Sequence, residues 1–211
     1  MSRALVLFTG DLRVHDNDAL ARAVAEHEQV IPAFVLDEAH GFACGGTMSI
    51  YLEPHGSPPR LFIFGAGHVG RAVTALAKTC GFHVTVVDER PHCVVREELP
   101  GADELVCAPM GEAFQQVRIG SESFVVVATP GHVSDFDAVK GALATEARFI
   151  GLLGSRRKRE ALLNILTDEG YSEEQRGRVV TPVGMEIAAE TPEEIAVSIV
   201  GQLIAERRKR V

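Results

Sequence analysis

Leu61-Phe62-Ile63-Phe64-Gly65-Ala66-Gly67-His68-Val69-Gly70 is the stretch whose reading decides the fold. The apolar run Leu61–Phe64 predicts a buried strand, and Gly65 to Gly70 fits G-x-G-x-x-G at the mouth of a helix predicted over Val69–Thr79. A second strand is predicted over His83–Val87 and ends in Asp88. The dinucleotide fingerprint wants an acidic group there, about 20 residues past the loop, to bind a ribose hydroxyl. Each part has a mechanical purpose. Gly65 permits the tight turn, Gly67 lets the backbone approach a pyrophosphate, and Gly70 lets the helix pack against the strand. The helix start offers unpaired N–H groups and the positive end of a dipole. Arg90, two residues past Asp88, is placed to help a 2′-phosphate. His68 is unusual inside such a loop. It reads either as a donor to phosphate or as a half-exposed surface histidine. The glycines themselves also admit a plain packing role.

Downstream the pattern keeps alternating. Strands are predicted over Phe124–Ala128 and Phe149–Leu153, and helices over Asp135–Thr145 and Arg156–Gly170. Thr191 caps a final helix with Pro192 at its first position and Glu193–Glu194 in its first turn; its basic end, Arg207–Arg210, reads as a solvated end that complements the helix dipole. Strands alternating with helices of this length imply an α/β fold, a Rossmann-like parallel sheet with flanking helices. Ahead of it, Ala4–Thr9, Ala19–His27 and Val30–Leu36 form one extra β-α-β unit. A break at Glu38–Gly46 marks a junction, followed by a short strand over Thr47–Leu52. The organisation is therefore 1–40, an N-terminal fragment; 41–59, junction and short strand; and 60–211, the Rossmann-like domain.

Bulk properties bound the function. The 211 residues are 46% hydrophobic and 24% charged, with a formal net charge of −8. An acidic surface gives no pull toward phosphate backbones or anionic membranes, so neither nucleic acid nor membrane is an expected partner. The apolar run at the N-terminus is too short for a signal-peptide core. The four cysteines, Cys44, Cys80, Cys93 and Cys107, have no C-x-x-C spacing and read as free thiols of a reducing cytoplasm. No zinc spacing or acyl-transfer motif is present, so the metal assignment stays open and no catalytic residue is named.

Further candidates lie at the carboxyl ends of the predicted strands, where α/β sheets bind ligands. His132 and Asp135 follow the strand Phe124–Ala128, with a plain loop residue and a helix-terminal acid as the alternatives. Ser155-Arg156-Arg157-Lys158-Arg159 puts four cations at a helix start, against the dipole preference. An anion at Ser155 and Arg156 would account for that; a solvated basic face would too.

From Cys44 almost to the end, the motifs resemble the XdhC/CoxI family of xanthine dehydrogenase accessory proteins. In order they are Cys44-Gly45-Gly46, Glu53-Pro54, the loop Gly65–Gly70, Val87-Asp88-Glu89-Arg90-Pro91, Thr129-Pro130-Gly131-His132 with Asp135, Ile150 to Arg159, Pro182-Val183-Gly184-Met185, and Thr191 to Ile199. Pro130 departs from the family, which often has arginine there. The resemblance implies a protein that binds the molybdenum cofactor (molybdopterin), protects it during sulfuration and delivers it to an apo molybdenum hydroxylase of the xanthine dehydrogenase type. It implies a maturation factor rather than an enzyme, with a cysteine desulfurase as a further partner and a homodimer as an allowed form. It places the family's Cys-Gly-Gly motif on Cys44, whose soft thiolate suits a molybdenum–sulfur centre. The alternative is an NAD(P)-dependent oxidoreductase using the same loop.

The first forty residues resemble something else. Leu5–Thr9, Asp11-Leu12-Arg13-Val14-His15-Asp16-Asn17 and Ala19-Leu20 are similar to the opening of a DNA photolyase or cryptochrome, with Gly10 where members commonly have arginine. This corresponds only to the first unit of the antenna-chromophore domain. With no tryptophan in the chain, photolyase activity is not expected.

Overall fold

The computed structural model describes residues 3–8, 20, 22, 23, 29–34 and 58–209. The chain divides into two compact units, Met1–Ser57 and Pro58–Val211. In the first, β1 (Arg3–Phe8) and β2 (Gln29–Phe34) pair in parallel, Arg3 opposite Gln29 through Phe8 opposite Phe34. Leu20, Arg22 and Ala23, between them in sequence, are helical, as the alanine-rich segment predicts. The expected strand at Thr47–Leu52 and Cys44 lie outside the described residues.

The second unit is built on a six-stranded parallel sheet ordered β5-β4-β3-β6-β7-β8. Its strands are β3 (Arg60–Phe64), β4 (His83–Asp88), β5 (Glu104–Cys107), β6 (Phe124–Val127), β7 (Phe149–Leu152) and β8 (Val179–Val180). Its helices are α1 (His68–Thr79), α2 (Met110–Ala113), α3 (His132–Leu143), α4 (Arg156–Asp168), α5 (Glu173–Gly177) and α6 (Pro192–Arg208). Counted from β3, this is the doubly wound order 3-2-1-4-5-6, whose switch point falls between β3 and β6.

The apolar strands follow from burial on both faces. Along β3 the side chains alternate. Leu61 and Ile63 pack with Val73 and Ala77 of α1 and Ile199 and Leu203 of α6. Phe62 and Phe64 pack with Ala138 and Val139 of α3 and Leu162 and Leu166 of α4. Leu61, Phe62, Ile63 and Phe64 are fully buried, each contributing about 1.5–3 kcal/mol. On α1 the buried positions Gly70, Val73, Thr74 and Ala77 form one stripe at helical spacing, which faces the sheet.

Several boundaries differ from the expectation. Helix α3 begins at His132 rather than Asp135, so Asp135 stands in its first turn, fully buried. Strands β5 and β8 and helices α2 and α5 have no counterpart in the sequence reading. The basic end is only partly solvated: Arg208 and Lys209 are exposed, but the half-buried Arg207 guanidinium donates to the Cys80 carbonyl at 3.1 Å and lies 4.9 Å from the centre of the Phe82 ring. Thr191 behaves as expected, forming a capping box with Glu194 behind Pro192.

Candidate functional site

Four loops leave the carboxyl ends of neighbouring strands β4, β3, β6 and β7. Gly65 closes the first turn at φ +117°, and a Cβ there would collide with the Ala128 carbonyl oxygen, so only glycine fits. Gly70 faces the Gly65 carbonyl at a distance that leaves no room for a Cβ, the close helix–strand packing that the motif predicts. Gly67 is different. A Cβ on it meets nothing within 4 Å, so packing does not require glycine there.

Gly67 is the N-cap of α1 and supplies no side-chain cap. The same holds across the switch point, where Gly131 caps α3 without a side chain and a Cβ would meet only Ser134 Oγ at 4.0 Å. Two helix starts with uncapped amides therefore flank the β3/β6 crevice, the arrangement that favours an anion. By contrast, Ser155 caps α4 by accepting from the Lys158 amide at 3.3 Å. His68, the first residue of α1, is exposed. His132 opens α3, but its side chain lies outside the described part of the structure.

Asp88 is held inside the protein. Its side chain is 1% exposed. Oδ2 accepts from the Ala66 amide at 2.7 Å and from Arg90 Nη2 at 2.8 Å. Oδ1 accepts from the Arg90 amide and Arg90 Nε, both at 2.9 Å. Burial alone raises its pKa, but the Arg90 hydrogen bonds and charge and the Ala66 amide together hold it below the ordinary carboxylate value. The carboxylate thus fastens the glycine loop to the end of β4.

Asp135 does the equivalent work at β6. Its Oδ1 accepts from the Thr129 amide at 3.2 Å and lies 2.8 Å from Thr129 Oγ1, whose single proton it shares with the Gly131 carbonyl at 3.1 Å. Its Oδ2 forms an ion pair with Lys158 Nζ, which donates as well to the Leu153 carbonyl at 3.0 Å. The Lys158 stem crosses Gly154, where a Cβ would collide with it. The charged run 156–159 is therefore split. Lys158 turns inward to Asp135, while Arg156, Arg157 and Arg159 remain exposed with no ion pair to a described residue. Lys158 and Thr129 are the site residues that sequence reasoning did not single out. The local signal was there, since Lys158 follows the N-cap by three residues, but its partner lies in another loop.

The structure thus brings Gly65, Gly67, His68, Gly70, Asp88 and Arg90 onto one loop system, and Asp135, Ser155 and the start of α4 onto the adjoining one. Cys93 is buried and Cys107 exposed. Among the described residues, no group of three or more His, Cys, Asp or Glu is arranged to hold a metal ion, and no helix is long and apolar enough to cross a membrane.

Comparison with known proteins matches this architecture. The XdhC Rossmann domain family matches residues 61–203, well over half of the chain. A probable xanthine dehydrogenase subunit from Bacillus subtilis is 33% identical over 78% of this chain and 48% of its own. The uncharacterized protein YqeB of Escherichia coli is 37% identical over 79% of this chain and 31% of its own. A crystal structure described as a xanthine dehydrogenase from Bacillus halodurans superposes with a TM-score of 0.67 at 32% identity, covering 74% of this chain and 45% of that one. The chain thus spans between about a third and about half the length of these relatives. Residues 4–54 match the DNA photolyase family, and 39 residues are 54% identical to 9% of a deoxyribodipyrimidine photo-lyase of Streptomyces griseus. Through residues 61–203, carrying the glycine loop and the two anchored carboxylates, the chain belongs to the XdhC family of xanthine dehydrogenase accessory proteins.

Proposed function

We propose that the second unit binds the molybdenum cofactor and hands it to a molybdenum hydroxylase of the xanthine dehydrogenase type. The observation that carries this reading is the pair of uncapped, glycine-lined helix starts at Gly67 and Gly131, on either side of the switch point. The residues fit a phosphorylated pterin. Amides at the start of α1 and α3 would receive a phosphate, Gly67 leaves backbone open to it, and Arg156 and Arg157 are exposed cations at the start of α4. When bound, the cofactor supplies the molybdenum–sulfur centre on which the client works. Asp88 and Asp135 hold the two loops in place. Neither carboxylate is free to act on the ligand, which suits a carrier more than a catalyst.

The test is mass spectrometry and metal analysis of the chain purified from cells that make the cofactor. The expected result is pterin and molybdenum in proportion to protein, with both lost in Gly67→Val. Absence of pterin and molybdenum, combined with nicotinamide-dependent turnover of a substrate, would replace this reading with an NAD(P)-dependent oxidoreductase.

A further inference from the structure

Helix α6 carries five charged side chains, and the chain engages three of them itself. Glu194 closes the capping box with Thr191, Glu206 pairs with Lys209 at 2.6 Å, and Arg207 turns inward to the Cys80 carbonyl. Glu193 and Arg208 are left over. Both are exposed, and neither side chain has a hydrogen bond or ion pair to a described residue. They mark the two ends of one helix face. From Glu193, the residues Val197, Gly201, Ile204 and Arg208 follow at steps of four, four, three and four, which keeps them in line as the helix turns. The seam is acidic at its start, apolar through its middle and basic at its end, over about 22 Å.

The apolar middle is bare. Val197 is 54% exposed, and Met185, also 54% exposed, lies across the same face. The Met185 amide donates to the Ser198 carbonyl at 3.2 Å, and its own carbonyl accepts from Ser198 Oγ at 2.5 Å. Its sulfur covers Gly201, 3.1 Å from where a Cβ would stand. Ile187 follows in the same loop and is 49% exposed. Three of the four exposed large hydrophobic side chains among the described residues therefore belong to α6 or to the loop that leads into it. Apolar side chains gathered on one surface and rimmed by charge mark a contact face.

The charge order of the seam specifies what covers it. In an isologous contact a surface meets itself, so that residue i touches j and j touches i. A second α6 laid antiparallel, with the two-fold axis beside Gly201, sets Glu193 opposite Arg208 of the partner subunit and Val197 opposite Ile204 of the partner subunit. Both relations repeat across the axis, where Met185 meets its own copy. A parallel pairing would set like charges side by side at both ends, so the charges select the antiparallel direction.

We propose that the outer face of α6 docks a second copy of this chain, antiparallel α6 against α6. Met185, Val197 and Ile204 supply the affinity, and Glu193 with Arg208 sets the register. The family resemblance allows a homodimer; this assigns it a surface, an axis and a pair of ion contacts, and it does not depend on the cofactor reading.

The experiment is sedimentation velocity on the full chain over a wide range of protein concentration, with each variant matched to wild type by circular dichroism. The wild type should pass from monomer to dimer as concentration rises. Val197→Lys, at an exposed position that the fold does not need, should remain monomeric throughout. Glu193→Arg and Arg208→Glu should each weaken association at least about tenfold, because both ion pairs of the dimer become like-charge contacts. Mixed in equal amounts, these two variants should recover the wild-type affinity to within about threefold, since each then offers the charge that the other lacks. A wild type that stays monomeric, a dimer that survives Val197→Lys, or a mixture that associates no better than its separate components would overturn the proposal.

Discussion

Lys158 reaches back from the first turn of α4 to the carboxylate of Asp135, itself fully buried in the first turn of α3. The contact joins the loops after β6 and β7. It places a cation at a helix start, where the dipole disfavours one, because a buried anion is there to receive it. Removing only the lysine would leave an uncompensated buried charge. Lys158→Met should therefore destabilise the second unit by about 3 kcal/mol. Combining it with Asp135→Asn should cost clearly less than the sum, with a coupling above about 1 kcal/mol. Urea denaturation of the three variants measures both quantities. Strict additivity would mean that the pair contributes no coupling.

Asp88→Asn replaces an oxygen that accepts two hydrogen bonds with an amide that has protons of its own. One of the Ala66 and Arg90 donors must then face another donor. The loss should be about 2–3 kcal/mol, less than for a wholly buried pair because the Arg90 side chain is partly in water. Arg90→Ala should cost less than Asp88→Asn, since the amides of Ala66 and Arg90 continue to satisfy the carboxylate. The reverse ranking in chemical denaturation would show that the carboxylate is not the anchor.

Gly65→Ala and Gly67→Ala separate folding from binding. At Gly65 the positive φ and the close approach to the Ala128 carbonyl make any side chain costly, roughly 2–4 kcal/mol. At Gly67 a methyl group meets open space, so the melting temperature should barely change while ligand retention falls. Gly67→Val should extend that loss to abolition. Thermal unfolding read alongside pterin content decides it. Full retention in Gly67→Val would remove the loop from the site.

Acid should weaken the second unit through Asp88 and Asp103. For Asp103, burial raises the pKa, but hydrogen bonds from Lys78 and the Val84 amide bring it below the ordinary value. Both carboxyls have folded values below their unfolded ones. Their stabilisation is complete above the unfolded value, near 4, and is lost as pH falls through the lower folded value. Urea midpoints should be flat from about pH 7 to about pH 5 with respect to these groups, then drop below about pH 4. Asp88→Asn should flatten part of that acid limb. An unchanged limb would assign it to other carboxyls.

Cys44 lies outside the described residues, so its role rests on the Cys-Gly-Gly resemblance. Cys44→Ala should lose molybdenum-cofactor retention, while Cys80→Ala and the exposed Cys107→Ala should keep it. Molybdenum stoichiometry on the three variants, matched for folding by circular dichroism, is the measurement. Equal loading would leave Cys44 a spectator.

Much of this protein was legible in its sequence because the deciding interactions are local or periodic. Leu61–Phe64 is apolar on both faces, which only a strand covered on both sides satisfies. The spacing of Gly65, Gly67 and Gly70 encodes backbone geometry, and Thr191-Pro192 with Glu194 encodes a helix start. Strands β5 and β8 escaped because both are edge strands. β5 is only half covered, and β8 has two residues and one neighbour, so their apolar stretches, Leu105–Cys107 and Val179–Val180, are too short to stand out. What the tertiary structure alone decided is how the charges of the site are used. Asp88 matches a ribose-binding acid by position, yet its acceptors are consumed by Ala66 and Arg90. Lys158 matches a solvated basic run, yet it closes on Asp135 from a different loop. An acid's availability depends on which donors the strand ends bring within reach, and that proximity is created by the sheet order rather than by neighbours in sequence.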